Sequence, residues 1–332
     1  MIGLDVGGAN TKAAAVSDDG PVRIVSEPFE VWRAPDQLAD TIASVVDRLA
    51  LDRAPVALAT TAELVDVFES KRAGVLHVLD AVAAALPGRQ LRVITTSGAL
   101  IAIERARADP LSCAAANWVA TALLVARAVP DAVLVDCGGT TTDVIPIAGG
   151  KLAARGQTDV QRLLAGELVY TGALRTNVAA VVSEVPIGGQ PCPVSSELFA
   201  IAADAHLLRG ELAAAQCTCT FPDGRGPGVE YVRARLARVV CADPEPLSPG
   251  DLEAIAGAVH DAQVAAIADA LARVAAHARP GAPVITVGVG AFLAREAAAR
   301  CGLDVAEPGS LPLAGVAGEV AACVALSVLG RD

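Results

Sequence analysis

Two short stretches of the chain combine an acidic residue, paired glycines and small hydroxyl or amide side chains. They are Asp5-Val6-Gly7-Gly8-Ala9-Asn10-Thr11-Lys12 and Asp136-Cys137-Gly138-Gly139-Thr140-Thr141-Thr142-Asp143. Glycine lets backbone approach an anion closely, and a turn aims N–H groups and hydroxyls at phosphate oxygens. An aspartate ending the preceding strand is placed to hold Mg²⁺, directly or through water. Either turn alone reads as an ordinary hairpin. The same order twice points to phosphate, with two hairpins expected to clamp a polyphosphate from both sides. Asp5 and Asp136 are therefore the candidate metal-binding and catalytic carboxylates. Gly7, Gly8, Asn10, Thr11, Lys12, Gly138, Gly139, Thr140, Thr141, Thr142 and Asp143 are the candidate diphosphate contacts. Side chains alternate along a strand, so only some of these face the anion. Lys12 either pairs with phosphate or points to solvent, and Asp143 either assists the metal or finishes its hairpin.

Further candidates lie between and beyond the turns. Glu63 and Asp66 follow a strand end, where open α/β sheets place their ligands. Each is a candidate general base or amine ligand, against the plainer role of a carboxylate at a helix N-terminus. Asn117 and Trp118 offer an amide and a ring for stacking on an aromatic substrate, although a packing tryptophan reads equally well. Arg155 and Arg175 could take a substrate carboxylate. Cys217-Thr-Cys219, with Cys192, Cys241 or His206, has ligand types suited to zinc but irregular spacing.

The elements that must position these residues follow from hydrophobic period and turn chemistry. Residues 2–6, 12–17 and 22–33 read as a three-stranded meander, with turns at Gly7-Gly8 and Asp18-Asp19-Gly20. A helix opens at Pro35 and carries Leu38, Ile42, Val45, Val46 and Leu49 at helical spacing. Strands are expected at 56–60 and 91–95, and helices at 72–86 and 111–128. After Val129-Pro130 the strand–turn–strand arrangement restarts. This sets an expected boundary between domains at 1–129 and 130–332, with a Gly-, Pro- and Cys-rich insertion at 157–247. A helix capped by Ser248 is expected to run to about residue 278. It is followed by a strand at 284–287, a Gly288-Val289-Gly290 turn, a helix at 291–301, a strand from Val305 and a final helix over 316–329, which could pack back on the first domain. Strands alternating with helices argue for an α/β fold.

Composition sets the outer bounds. The chain has 332 residues and a net charge of −11, which disfavours a broad nucleic-acid face. Lys12, Lys71 and Lys151 are its only lysines. Mean hydropathy is positive, yet no window offers the roughly 20 uninterrupted apolar residues of a membrane span. Lys12, Asp18 and Asp19 interrupt the N-terminus too early for a secretory signal. A cytoplasmic protein with reduced cysteines is expected, and an Ala- and Val-rich chain with few charged residues could bury a homodimer interface.

The two Asp-x-Gly-Gly turns and Gly288-Val289-Gly290 resemble the two phosphate motifs and the adenosine motif of the actin, sugar kinase and Hsp70 superfamily. This resemblance implies two ribonuclease H-like domains of actin-like ATPase type facing a central cleft. A narrower resemblance is carried by Thr60-Thr61-Ala62-Glu63-Leu64-Val65-Asp66, Ala114-Ala115-Ala116-Asn117-Trp118, Tyr170-Thr171-Gly172 with Arg175-Thr176, and Gly226-Pro227-Gly228-Val229-Glu230-Tyr231. These look like the hydantoinase/oxoprolinase-related branch tied to tetrahydromethanopterin-linked one-carbon transfer. The resemblance implies an aryl ether synthase of methanofuran or methylofuran biosynthesis. Such an enzyme joins a tyramine- or tyrosine-derived phenol to an (aminomethyl)furanmethanol diphosphate and releases pyrophosphate, and Mg²⁺ held near Asp5 and Asp136 would neutralise the departing group. The rivals are an ATP-dependent kinase or hydantoinase-type ATPase, for which Gly288-Val289-Gly290 argues, and a non-enzymatic nucleotide-binding regulator.

Overall fold

The computed structural model describes residues 1–17, 22–306 and 321–331. In chain order the first elements are β1 (Ile2–Gly7), β2 (Asn10–Ala15), β3 (Arg23–Pro28), α1 (Leu38–Asp47), β4 (Val56–Thr61), α2 (Lys71–Ala85), β5 (Leu91–Ile94), β6 (Leu100–Ala102), α3 (Ile103–Ala108) and α4 (Asn117–Ala128). Then come β7 (Ala132–Cys137), β8 (Thr142–Ala148), β9 (Lys151–Leu152), α5 (Asp159–Ala165), β10 (Leu168–Val169), α6 (Val178–Val181), β11 (Glu184–Ile187), β12 (Gln190–Pro193), α7 (Ala202–Leu208) and α8 (Val229–Arg238). The chain closes with α9 (Pro249–Ala275), β13 (Val284–Val287), α10 (Ala291–Arg300), β14 (Val305–Ala306) and α11 (Ala321–Leu329). Among the described residues they form two compact units, one of residues 1–132, 145–165 and 321–331, the other of 133–144 and 166–306.

The first unit holds a six-stranded mixed sheet in the order β3-β2-β1-β4-β5-β6. The antiparallel β1–β2 register sets Asp5 opposite Lys12 and Val6 opposite Thr11, and the parallel β1–β4 register sets Asp5 beside Ala59 and Val6 beside Thr60. Because the side-chain period is two, Ile2, Leu4, Val6, Thr11 and Ala13 share one face, and the apolar members of that set join α1 and α2 in the core. Gly3, Asp5, Gly7, Asn10 and Lys12 share the other face. There α11 lies on β1, β2 and β4. Gly3 is required by this approach, since a Cβ at that position would overlap the carbonyl of Cys323. Ser327 pins the same helix, donating to the Met1 carbonyl and accepting from the Val16 N–H, each at 3.0 Å.

The second unit contains most of the sheet ordered β10-β8-β7-β13-β14, with β7, β13 and β14 parallel. The long helix α9 begins in a capping box, Ser248 accepting from the Asp251 N–H while Asp251 accepts from that of Ser248. Its buried stripe, Val264, Ile267, Leu271 and Val274, packs with Val133, Val135 and Val284 from the sheet and with Leu293 from α10. The β11–β12 hairpin, α6 and α8 build a second apolar cluster on the N-terminal half of α9.

Several elements differ from the sequence expectation. The third strand stops at Pro28, six residues being enough to pair with all of β2. The expected helix at 111–128 is a short 3₁₀ turn at Pro110–Cys113 and then α4, separated by Ala115 at φ 50°. The edge strand β6 and the one-and-a-half-turn α3 were not anticipated. The expected Asp18-Asp19-Gly20 turn and the start of the final helix at 316–320 lie outside the described residues. No helix among the described residues is long and apolar enough to cross a membrane.

Candidate phosphate turns and a buried carboxylate

In the first unit, Gly7 ends β1 beside Thr61, the last residue of β4, and Gly8 opens the turn to β2. A Cβ on Gly8 would come within 2.9 Å of Val65, so this glycine lets the turn settle against the segment that carries Glu63. Asp5 is only 5% exposed. Burial pushes its carboxyl above the usual carboxylate value, and Lys12 opposite draws it back down. Asp5 Oδ1 and Asn10 Oδ1 are buried with no hydrogen-bonding partner in the chain, and they share the face that Lys12 occupies. Buried acceptors are normally satisfied, so two orphaned oxygens beside a glycine turn suit a cation or a hydrated anion complex. Thr11 is placed differently from the expectation. Its side chain is fully buried on the core face with Val6, so it does not meet an anion on the Asp5 side.

Glu63 lies just beyond β4 and is 2% exposed. Burial is the largest influence on its carboxyl and raises it from 4.5 to about 7. Hydrogen bonds from its own and the Ala115 backbone and the charge of Lys71 oppose that rise, and Asp159 adds to it. Lys71 is itself paired with Asp159. The Ala115 N–H is delivered by a residue at φ 50°, a left-handed conformation that costs a non-glycine residue energy and tends to persist at functional sites. Gly74 of α2 sits directly on the Glu63 backbone, where a Cβ would fall 2.7 Å from Glu63 Cα. Glu63 Oε2 has no partner in the chain. This is a carboxyl group clamped by strained backbone, with one oxygen left over and a proton affinity near neutrality.

The remaining candidates of this unit lie in different surroundings. Asp66 and Arg155 are exposed. Asn117, the first residue of α4, accepts from the neighbouring Trp118 N–H at 2.8 Å. Trp118 is buried, and the Arg162 guanidinium covers one ring face at 4.2 Å. The ring therefore packs, where stacking on a substrate had been an open alternative.

In the second unit, Asp136 and Cys137 end β7, and Gly138 closes its turn by donating to the Thr141 carbonyl at 2.9 Å. The segment Tyr170-Thr171-Gly172 lies underneath. A Cβ on Gly172 would meet the Thr140 and Gly139 backbone, and the N–H groups of Ala173 and Leu174 donate to the Gly138 and Gly139 carbonyls. Thr142 is fully buried and spends its proton on the Thr171 carbonyl at 2.8 Å, so it braces the turn and has no hydrogen to offer an anion. Thr140, Thr141 and Asp143 remain half-buried at the turn, and Arg175 is exposed. Gly288 stands at φ 97° against this turn, where a Cβ would overlap the Cys137 carbonyl and lie 2.9 Å from Asp136 Oδ1. Gly288→Ala is expected to cost at least about 1–3 kcal/mol from the backbone conformation alone, measured by urea unfolding against wild type.

A sheet carrying an Asp-x-Gly-Gly hairpin, repeated in a second unit, defines the fold of actin-like ATPases and sugar kinases. Nucleotide-free acetone carboxylase superposes with a TM-score of 0.54 at 11% identity, covering 88% of this chain and 65% of that one. A PilM–PilN type IV pilus biogenesis complex does so with a TM-score of 0.50 at 14% identity, covering 100% and 98%. Within that fold, the hydantoinase/oxoprolinase family profile matches residues 55–325, and the chain belongs to this family. It is 37% identical over 253 residues to the (4-{4-[2-(γ-L-glutamylamino)ethyl]phenoxymethyl}furan-2-yl)methanamine synthase of Methanocaldococcus jannaschii, covering 76% of this chain and 74% of the relative. A protein of the same name from Methanococcus vannielii is 39% identical over 111 residues, 33% of this chain and 50% of the relative.

Proposed function

We propose that the protein is a transferase that forms an aryl ether in methanofuran or methylofuran biosynthesis. It would join the oxygen of a tyramine- or tyrosine-derived phenol to the exocyclic carbon of an (aminomethyl)furanmethanol diphosphate and release pyrophosphate. The observation that carries this reading is the 37% identity, over three-quarters of both chains, to a synthase whose named product contains that phenoxymethyl–furan linkage. The glycine turns supply a reason for diphosphate as the leaving group.

In this mechanism a furan ring stabilises positive charge at its exocyclic carbon, so the carbon–oxygen bond to diphosphate breaks readily once the departing charge is met. Backbone N–H groups of the 7–8 and 138–139 turns, the Asn10 amide, Lys12 and the Thr140 and Thr141 hydroxyls are assigned to that charge, acting as fixed dipoles and donors at the place where charge develops. Asp5 and Asp136 are the carboxylates assigned to Mg²⁺, and the orphaned, buried Asp5 Oδ1 and Asn10 Oδ1 fit a hard, oxygen-seeking cation. When bound, Mg²⁺ would neutralise negative charge on the diphosphate oxygens. A phenol ionises near pH 10, so a base must take its proton, and Glu63, poised at about 7, is the group assigned to it. Asp66, Asp143, Arg155 and Arg175 are assigned to substrate contacts around these turns, and the working location is the cytoplasm.

The test supplies the purified protein with Mg²⁺, the furfuryl diphosphate and a tyramine derivative, and in a second arm with ATP and the furan alcohol. Pyrophosphate release that requires the phenol, with ether detected by mass spectrometry, is the expected result. ADP formation without ether would replace this reading with a kinase or ATPase.

A further inference from the structure

Away from the glycine turns, the second unit buries an unusual set of polar side chains. His206 of α7 and His260 of α9 are 0% and 3% exposed, and both present Nδ1 to the carboxylate of Glu211, at 2.7 and 3.1 Å. The ligand atoms of these three residues lie within 4.8 Å of one another. The opposite ring nitrogens are committed. His206 Nε2 meets Gln263 Oε1 at 2.8 Å, and His260 Nε2 meets Glu296 at 2.8 Å. The amide of Gln263 cannot be turned around, because its Nε2 donates to the Gly172 carbonyl at 2.9 Å and to Thr171 Oγ1 at 2.7 Å, and a carbonyl only accepts. Gln263 Oε1 and the ionised Glu296 carboxylate are both acceptors, so both Nε2 atoms are the protonated nitrogens of their rings.

That assignment leaves two Nδ1 lone pairs converging on one carboxylate. With Glu211 ionised and already accepting from Arg209, protons would satisfy both contacts only by making both rings cationic, with centroids 5.9 Å apart. Like charges at that separation in a buried site oppose each other. One cation at the junction meets all three ligands at once while the rings stay neutral. Two imidazoles and one carboxylate, each imidazole held by an outer acceptor on its other N–H, form the donor set and the orienting shell of a zinc-type centre.

We propose that His206 Nδ1, His260 Nδ1 and the Glu211 carboxylate bind one divalent transition metal of the zinc class, distinct from the Mg²⁺ assigned to the glycine turns. The metal ties α7, α9 and α10 together. Through Gln263 it also fixes Thr171-Gly172, the segment on which the 138–142 turn rests. Its role is structural support of that turn, and it takes no part in the bond-forming step.

The experiment uses the full chain, purified without chelator after growth with zinc. Elemental analysis after gel filtration is expected to find close to one zinc per chain. Replacing zinc by Co²⁺ should give the intense visible bands of a four-coordinate site. His260→Ala and His206→Ala should lose the retained metal, Asp136→Asn should keep it, and Glu296→Leu should weaken it by about 10- to 100-fold in a chelator competition. The proposal is overturned if wild type retains no more zinc than the His206→Ala/His260→Ala double variant. Should the alanine variants not fold, ¹⁵N shifts of the two histidines on zinc addition to wild type decide the matter. A large change at Nδ1 with Nε2 still protonated supports the site, and unchanged ring shifts refute it.

Discussion

Replacing Glu63 by glutamine is expected to lower phenol-dependent pyrophosphate release by about 10²- to 10⁴-fold, the range that positioned proton transfer contributes. In the wild-type enzyme the rate should climb as pH rises through about 7, because only the ionised carboxylate accepts the phenol proton. The glutamine variant should lack that ascending limb. Stability must respond in the opposite sense. The folded-state value near 7 lies above the ordinary 4.5, so the folded chain holds the Glu63 proton more tightly than the unfolded one. Stability from this group is complete below about pH 4.5 and is lost as pH rises through 7. At pH 8 the loss amounts to about 3 kcal/mol. Glu63→Gln should therefore be more stable than wild type at pH 8, by up to about that amount, and the gap should close toward pH 4.5. Urea unfolding across this range, paired with the rate profile, checks both signs. A variant slower but not more stable at high pH would mean that the Glu63 carboxyl is already well compensated in the fold.

Asp5→Asn should reduce the rate by about 10²- to 10³-fold, as removal of a group stabilising developing charge does elsewhere, while leaving the fold intact. The physical reason for the separation is that Asp5 Oδ1 bonds to nothing in the chain, and burial already opposes its charge. Neutralising it costs the fold no Oδ1 hydrogen bond and leaves an isosteric side chain in the same buried position. Rate measurements over a Mg²⁺ titration, with thermal melts alongside, test this directly. Equal rates for Asp5→Asn and wild type would remove Asp5 from the mechanism.

How much of this was legible depended on whether the signal was local. The hairpin over β1 and β2 is written in contiguous residues, because Gly7-Gly8 permits the turn and the apolar run before it specifies the strand. The same holds for β7 and its Gly138-Gly139 turn, for the Ser248 cap of α9 and for the Gly288 turn, whose φ of 97° demands glycine. Edge elements such as β6 and α3 carry only a few residues each, too few for a period to show. Thr11 and Thr142 illustrate a different limit. Both sit in the expected motifs, yet register points one into the core, and the other gives its proton to the Thr171 carbonyl from a distant loop.

His206, Glu211, His260 and Glu296 had no shared motif to announce them, and the cysteine pair nearby offered a more obvious metal pattern that the structure does not assemble into a cluster among the described residues. Their meeting requires α7, α9 and α10 to pack, an event governed by apolar stripes elsewhere on those helices. By itself the sequence determined the two acidic glycine turns, the alternating α/β order and the family, since each rests on neighbouring residues or on their order along the chain. Tertiary structure alone decided which hydroxyls face inward, why Glu63 holds its proton to about pH 7, and that two histidines share one carboxylate, because burial and cross-chain hydrogen bonding exist only once distant segments are packed together.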